Sequence, residues 1–295
     1  MSIADFFASL PTAPVVPLLT SHGVSLWVKR LDLSHPQLSG NKWYKLWYNL
    51  LAAEEQNYNQ LLTFGGAYSN HIVATAKAGE LFGFRTVGVI RGEAHEPLNP
   101  VLAYAKKCGM ELTYLTRSAY RNKYQPELQA RLKERFGAFY LIPEGGSNAL
   151  ALRGCRHILT PEEVEHFDHI CLSMGTGGTL AGLSLVARAK QLIGFSSLKG
   201  GGFLRDEVNQ LREQYGVRHE LNWQLETDYH AGGFARRPPE LLRFIRNMEA
   251  EYGLRLDPIY TGKLFWGILD KIERGHWASG TQLLAIHTGG LPLVT

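Results

Sequence analysis

Hydrophobic positions recur along the chain at strand-like and helix-like spacing by turns. "VSLWVKRLDL" (24–33) predicts a strand. "KWYKLWYNLLAAEEQ" (42–56) predicts a helix, because Tyr44, Trp47, Tyr48 and Leu51 return at helical spacing. "QLLTFGG" (60–66), "RTVGVIRG" (85–92), "MELTYLT" (110–116), "AFYLIPEGGS" (138–147), "HICLSMGTGG" (169–178) and "QLLAIHTGG" (282–290) predict further strands. Between and after them, "NHIVATAKAGELFG" (70–83), "NPVLAYAKKCG" (99–109), "PELQARLKERFG" (126–137), "TLAGLSLVARAKQL" (179–192), "LLRFIRNMEAEYG" (241–253) and "KLFWGILDKIERG" (263–275) predict helices. Strands alternating with helices predict an α/β protein with parallel sheet. A second set of such units begins near residue 170. The segment "FSSLKGGGFLRDEVNQL" (195–211) carries an excess of glycine that this pattern does not account for.

In open α/β sheets, ligands bind outside the carboxyl ends of the strands. Four glycine-containing segments stand at such ends: Gly65-Gly66, Gly145-Gly146, Gly175 to Gly178, and Gly289-Gly290. They are candidates to line one site. "SMGTGGTLAG" (173–182) is the strongest of them, a strand feeding a glycine loop and then a helix. Glycines let the backbone approach an anion, and the first N–H groups of a helix are unpaired. Thr176 and Thr179 add hydroxyl donors. The loop is neither a Walker A motif nor GxGxxG, so a compact phosphate monoester suits it better than a dinucleotide. A glycine turn made only for tight strand–helix packing explains the loop equally well.

Composition narrows the classes. The 295 residues suffice for one large domain or two intertwined ones, and 45% hydrophobic with 20% charged residues is ordinary for a globular protein. The net charge of +4, with no basic stripe, gives no case for nucleic acid. Cys108, Cys155 and Cys171 form no CxxC pair and no metal pattern, and read as buried thiols in a reducing compartment. The first residues do not resemble a secretory signal, and no apolar stretch is long enough to span a bilayer. The expectation is a cytoplasmic protein without a membrane partner.

Two lysines, Lys42 and Lys45, follow Gly40-Asn41 at the start of the 42–56 helix, where the helix dipole disfavours a positive charge. A lysine with a lowered pKa has a free amine and can attack an aldehyde. A phosphate loop elsewhere would hold a molecule bearing that aldehyde, and pyridoxal phosphate meets both demands. Ser69 or Asn70 reads as a helix cap that is compatible with a ligand contact, and His71 as a solvated or satisfied histidine with no catalytic role. Tyr260 and Thr288 stand at turns.

At this point the chain resembles a family. "SGNKWYKL", "GGAYSNHIVATA", "PEGGSN", "MGTGGTLAGL", "LDPIYTGK" and "HTGG" come in the order found in the pyridoxal-phosphate enzymes related to 1-aminocyclopropane-1-carboxylate (ACC) deaminase and D-cysteine desulfhydrase. The resemblance covers nearly the whole chain. It implies the tryptophan-synthase-β-like fold, type II, with two open, twisted, mostly parallel sheets flanked by helices. The larger, cofactor-binding domain would combine 1–45 with 152–295, and 46–151 would be a smaller inserted domain.

The resemblance also implies roles. Lys42 would carry pyridoxal 5'-phosphate. Ser69 would stand near the substrate carboxylate and Asn70 near the cofactor's phenolic oxygen. Gly175, Thr176, Gly177, Gly178 and Thr179 would bind the phosphate. Tyr260 would lie close to the reacting centre, Thr261 would face the pyridine nitrogen, and Thr288 would touch the cofactor. Where the family's deaminases have a glutamate, this chain has Thr261. A neutral hydroxyl there makes the ring a weaker electron sink and suits β-elimination better than opening a cyclopropane. A second family tyrosine falls on Phe234, which removes a phenol from the site, and Tyr229 is the candidate to replace it.

The expectation is a pyridoxal-phosphate dependent lyase or deaminase. It would take a small amino acid by β-elimination, as D-cysteine desulfhydrase does, to pyruvate and ammonia. ACC deamination to 2-oxobutanoate is the alternative, and a non-catalytic cofactor binder is another. Relatives imply a homodimer. Without the resemblance, "GTGGT" alone suits a phosphosugar- or nucleotide-binding protein.

Overall fold

A computed structural model describes residues 2–34, 40–187, 191–218 and 223–290. In chain order the elements begin with α1 (Ile3–Ser9), β1 (Val15–Ser21), β2 (Val24–Arg30), α2 (Asn41–Glu55), β3 (Gln60–Gly66), α3 (Asn70–Phe82), β4 (Arg85–Arg91) and α4 (Pro100–Lys107). Then come β5 (Glu111–Leu115), α5 (Arg117–Arg121), α6 (Pro126–Phe136), β6 (Tyr140–Ile142), α7 (Ala149–Cys155), α8 (Pro161–His166) and β7 (His169–Met174). The last are α9 (Gly178–Leu183), β8 (Gln191–Ser196), α10 (Leu204–Gln214), β9 (Trp223–Glu226), α11 (Pro239–Tyr252), α12 (Thr261–Glu273) and β10 (Gln282–His287).

The strands form a six-stranded sheet, β1-β2-β10-β7-β8-β9, and a four-stranded sheet, β5-β4-β3-β6. Every pairing is parallel except β1 with β2. Parallel central strands are apolar on both faces because helices cover both. Ile170, Leu172, Leu284 and Ile286 pack into one core cluster, while Cys171, Leu283 and Ala285 pack into another. No helix among the described residues is long and apolar enough to cross a membrane.

The α/β alternation holds, with one substantial correction. The helix expected over 179–192 stops at Leu183, and Gln191–Ser196 is instead a strand between β7 and β9. Residues 188–190 of that expected helix lie outside the described residues. A short apolar run such as "LIGF" satisfies either period. What decides it is the slot beside β7, where Leu192, Ile193 and Phe195 are buried. The strand expected over 24–33 ends at Arg30 in a 3-10 turn. The glycine-rich stretch is the turn from β8 into α10. A Cβ on Gly201 would stand 2.0 Å from Ser196 Oγ, so that glycine is there for a close approach.

Helix α2, which carries both lysines, is seated on α7. A Cβ on Gly154 would lie 1.7 Å from the carbonyl oxygen of Tyr44, a backbone atom that cannot swing aside. Gly154→Ala is therefore expected to push the two helices apart and cost about 1–3 kcal/mol or more, as core overpacking does. Chemical denaturation would measure it; an unchanged midpoint would contradict this packing.

Candidate active site

Helix α2 starts where it does because of Gly40. Its φ is +94°, and a Cβ there would lie 2.3 Å from the carbonyl oxygen of Thr288. That carbonyl accepts the N–H of Asn41 at 3.1 Å, which fixes the start of α2 on the exit of β10. Asn41 then ties the first lysine to the glycine loop. Its amide donates to Thr179 Oγ1 at 2.8 Å, and its side-chain oxygen accepts from Lys42 Nζ at 2.9 Å. Burial, and secondly the charge of Lys45, push the Lys42 ammonium down to about 7. The dipole argument from sequence and this environment act in the same direction.

Lys45 lies one helical turn on. It is buried, and its ammonium donates to the carbonyl of Gly145 (2.9 Å), Ser147 Oγ (2.9 Å) and Thr176 Oγ1 (3.4 Å). These partners are all neutral; among the described residues none of these bonds reaches a carboxylate. Burial lowers its pKa to about 8. A buried cation without a counter-ion is costly. The cradle beside it has the shape and the donors of an anion site. A Cβ on Gly178 would lie 2.5 Å from Ser147 Oγ and 2.9 Å from Lys45 Nζ. Glycine keeps that space open at the start of α9, where N–H groups have no intrahelical partner. The donor set thus fits a phosphate, and the adjacent free amine fits an aldehyde.

A cleft of about 1020 Å³ opens around these groups, and Lys42, Ser69, Asn70, Gly175, Thr176, Gly177, Gly178, Thr179, Tyr260 and Thr288 all line it. Ser69 caps α3, accepting the N–H of Ile72 at 3.5 Å. The amide nitrogen of Asn70 is 2.8 Å from where a Cβ on Gly290 would stand, so the last glycines also reach the site. Thr288 Oγ1 is 3.4 Å from Ser173 Oγ. The ring of Tyr260 lies 3.1–3.6 Å from the Cβ position of Gly175. Its phenol is held protonated by burial and by the charges of Asp257 and Glu144.

Thr261 is placed differently. It is fully buried behind the cleft wall, and its hydroxyl donates to Asp257 Oδ2 at 2.7 Å. Asp257 is wholly spent on the start of α12: it accepts the N–H groups of Ile259, Tyr260 and Thr261 at 2.7–2.9 Å. Phe234 does line the cleft, with its ring edge-on to Tyr260 at 5.8 Å. Tyr229 does not replace the missing phenol, because its hydroxyl donates to Asp270 at 2.6 Å and it is not among the cleft residues.

Two residues of the site carry no distinguishing signal in the sequence. Lys45 was visible only as a lysine three positions after Lys42, on the same helix face. His71 is buried, and its Nε2 is 2.8 Å from Thr63 Oγ1, which itself donates to the carbonyl of Ile142. The imidazole is therefore the donor and is neutral, its pKa driven down by burial and by both lysines.

The family profile described as pyridoxal-phosphate dependent enzyme matches residues 10–289. A Pyrococcus horikoshii protein, provisionally named 1-aminocyclopropane-1-carboxylate deaminase, is 32% identical over 283 residues, 91% of this chain and 85% of its own length. The Arabidopsis thaliana bifunctional D-cysteine desulfhydrase/1-aminocyclopropane-1-carboxylate deaminase is 30% identical over 92% of this chain and 73% of its own. The crystal structure of an ACC deaminase homologue superimposes with a TM-score of 0.83 at 29% identity, covering 99% of this chain and 95% of that one.

Proposed function

This chain belongs to the family of pyridoxal-phosphate dependent enzymes, with the type II fold, and from that premise we propose that it eliminates a β-substituent from a small amino acid, giving pyruvate and ammonia. The observation that carries the reading is the pair of amines in one cleft. Lys42 has its ammonium form disfavoured, and Lys45 is aimed at an anion cradle that holds no carboxylate. Lys45, Ser147, Thr176 and the loop from Gly175 to Thr179 hold the phosphate; Asn70 and Thr288 border the ring. Bound pyridoxal phosphate supplies an aldehyde for an amine and a ring that withdraws electrons from the amino acid's Cα.

The chain's own residues do the rest. Ser69 and the N–H groups opening α3 take the substrate carboxylate. Lys42 Nζ, free as an amine near neutral pH, removes the Cα proton. Tyr260 keeps its phenolic proton and offers a hydrogen bond beside the reacting carbon. Thr261 is neutral and Asp257 is committed to capping α12, so neither presents a free carboxylate to the ring. That favours elimination, in which the leaving group carries the electron pair away, over cyclopropane opening.

The expected division into 1–45 with 152–295 and an inserted 46–151 is part of the proposal. It is supported by the six-stranded sheet taking its strands from 15–30 and 169–287 and the four-stranded sheet from 60–142. Helix α2 runs through the 45/46 boundary. A cytoplasmic homodimer completes the reading, and the three buried free cysteines are consistent with a reducing compartment.

The names of the relatives raise ACC deamination as a second reading, and one experiment separates the two. The holoenzyme is incubated with D-cysteine, L-cysteine, β-chloro-D-alanine and ACC, and the keto acid is identified. Pyruvate from a β-substituted amino acid is expected. 2-Oxobutanoate from ACC alone would establish the deaminase reading instead, and no keto acid from any of them would leave a cofactor binder.

A further inference from the structure

Among the described residues, seven large hydrophobic side chains are exposed, and four of them, Tyr68, Tyr124, Phe203 and Phe234, line the active-site cleft. Scattered exposed apolar side chains need no explanation, but a concentration at one opening marks a binding surface. All four are aromatic. Tyr68 follows β3 and Tyr124 follows α5, while Phe203 precedes α10 and Phe234 follows β9. The segments connecting the strands of each sheet thus supply two rings apiece to the same cleft.

Three of these rings are held in place. Tyr124 stands edge-on to Phe64 at 5.7 Å, and its hydroxyl accepts the N–H of Glu144 at 2.9 Å. The guanidinium of Arg237 lies 5.8 Å from the ring of Tyr68. Phe234 is anchored through its backbone: the buried ammonium of Lys263 donates to the carbonyls of Gly233 (2.7 Å), Phe234 (3.0 Å) and Ser197 (3.4 Å). Lys263 sits on α12, one turn from Tyr260, so it ties the Phe234 segment to the helix that presents the phenol. The edge of Phe234 against Tyr260 makes the aromatic mouth continuous with the reacting centre. The cleft, about 1020 Å³, slightly exceeds the roughly 300–1,000 Å³ usual for one small molecule, and here it has to take the cofactor as well as the substrate.

We propose that the natural substrate is a cysteine thioether whose sulfur carries an aromatic or other large apolar group, and that Tyr68, Tyr124, Phe203 and Phe234 receive that group. The inference rests on the elimination reading above. In the reaction the Cα–H proton goes to Lys42 and the Cβ–S bond breaks, with its electron pair leaving on sulfur. The thiolate takes up a proton to give a free thiol. The released three-carbon enamine adds water and yields pyruvate and ammonia. No oxidant or reductant is needed.

The test has a kinetic and a binding arm, both on the holoenzyme. S-Benzyl-D-cysteine and S-benzyl-L-cysteine are compared with D- and L-cysteine by pyruvate release. Calorimetry then compares 2-amino-5-phenylpentanoate, which has carbon in place of sulfur and no leaving group, with 2-aminopentanoate. The expected result is at least a tenfold higher kcat/KM for one benzyl thioether and at least tenfold tighter binding of the phenyl analogue. Both preferences should shrink in Phe234→Ala and in Phe203→Ala, the latter at a half-exposed ring whose loss leaves the core untouched. Equal binding of the two analogues, or a preference for plain cysteine, would overturn this inference and leave the elimination reading standing. No pyruvate from any cysteine or thioether, with β-chloro-D-alanine still giving pyruvate, would overturn this inference alone; none from β-chloro-D-alanine either would overturn both.

Discussion

Lys42→Ala is expected to abolish the long-wavelength absorbance band that the protein acquires with pyridoxal phosphate, and to lower kcat by at least about 10³-fold. A general base alone contributes roughly 10²–10⁴-fold, and here the same amine also holds the cofactor. The pH profile is a sharper check, because it depends on the environment of Lys42. Its ordinary value of 10.5 is lowered to about 7, chiefly by burial and then by Lys45. Below that pH the nitrogen is an ammonium without a lone pair. Above it, the amine is free. The rate of cofactor capture by the apoprotein should therefore rise with pH, reach half its maximum near 7, and fall about tenfold per unit further down. A surface lysine would still be almost wholly protonated at pH 8. Capture that keeps climbing past pH 9, or a band that survives Lys42→Ala, would remove Lys42 from the chemistry.

The second large effect concerns Lys45. If its ammonium is the cofactor's phosphate partner, Lys45→Met removes one side of a buried charge pair. Such losses cost about 2–4 kcal/mol, or roughly 30- to 1000-fold in Kd. The loss must be specific to the phosphate. Pyridoxal, which has the aldehyde but no phosphate, should bind the variant about as well as it binds the parent. Fluorescence titration of both compounds against both proteins gives the four constants. An equal loss for pyridoxal and for pyridoxal phosphate would mean that Lys45 supports the fold of the cleft and not the anion. Methionine keeps the length and burial of the side chain, so the seat of α2 on α7 is preserved.

Much of this is legible in the sequence. Glycines that end helices were reliable punctuation: Gly83 and Gly253 take φ of +77° and +62°, values that close a helix and that other residues avoid. Three of the four glycine segments at strand ends line one cleft, through Gly66, Gly145 and Gly175 to Gly178, and the fourth stands beside it with Gly290 against Asn70, because parallel strands present their carboxyl ends on the same side. The strand at 191–196 is not legible there, for the opposite reason. Its short apolar run carries no punctuation, and only its neighbours in the sheet say which period applies.

The sequence by itself determined the α/β alternation and the placement of a lysine at a helix start, properties of local spacing and of residue type that a chain carries wherever it folds. The resemblance to the family added ten residues that line the cleft, from Lys42 and Ser69 to Tyr260 and Thr288. The tertiary structure decided what each group faces. It turned the hydroxyl of Thr261 onto Asp257 and spent the phenol of Tyr229 on Asp270. It also brought Lys45 onto Ser147 and Thr176, residues about a hundred and more positions away in the chain. Direction and desolvation arise only when distant segments pack, and it is these that push Lys42 toward the free amine and leave the ammonium of Lys45 on neutral acceptors.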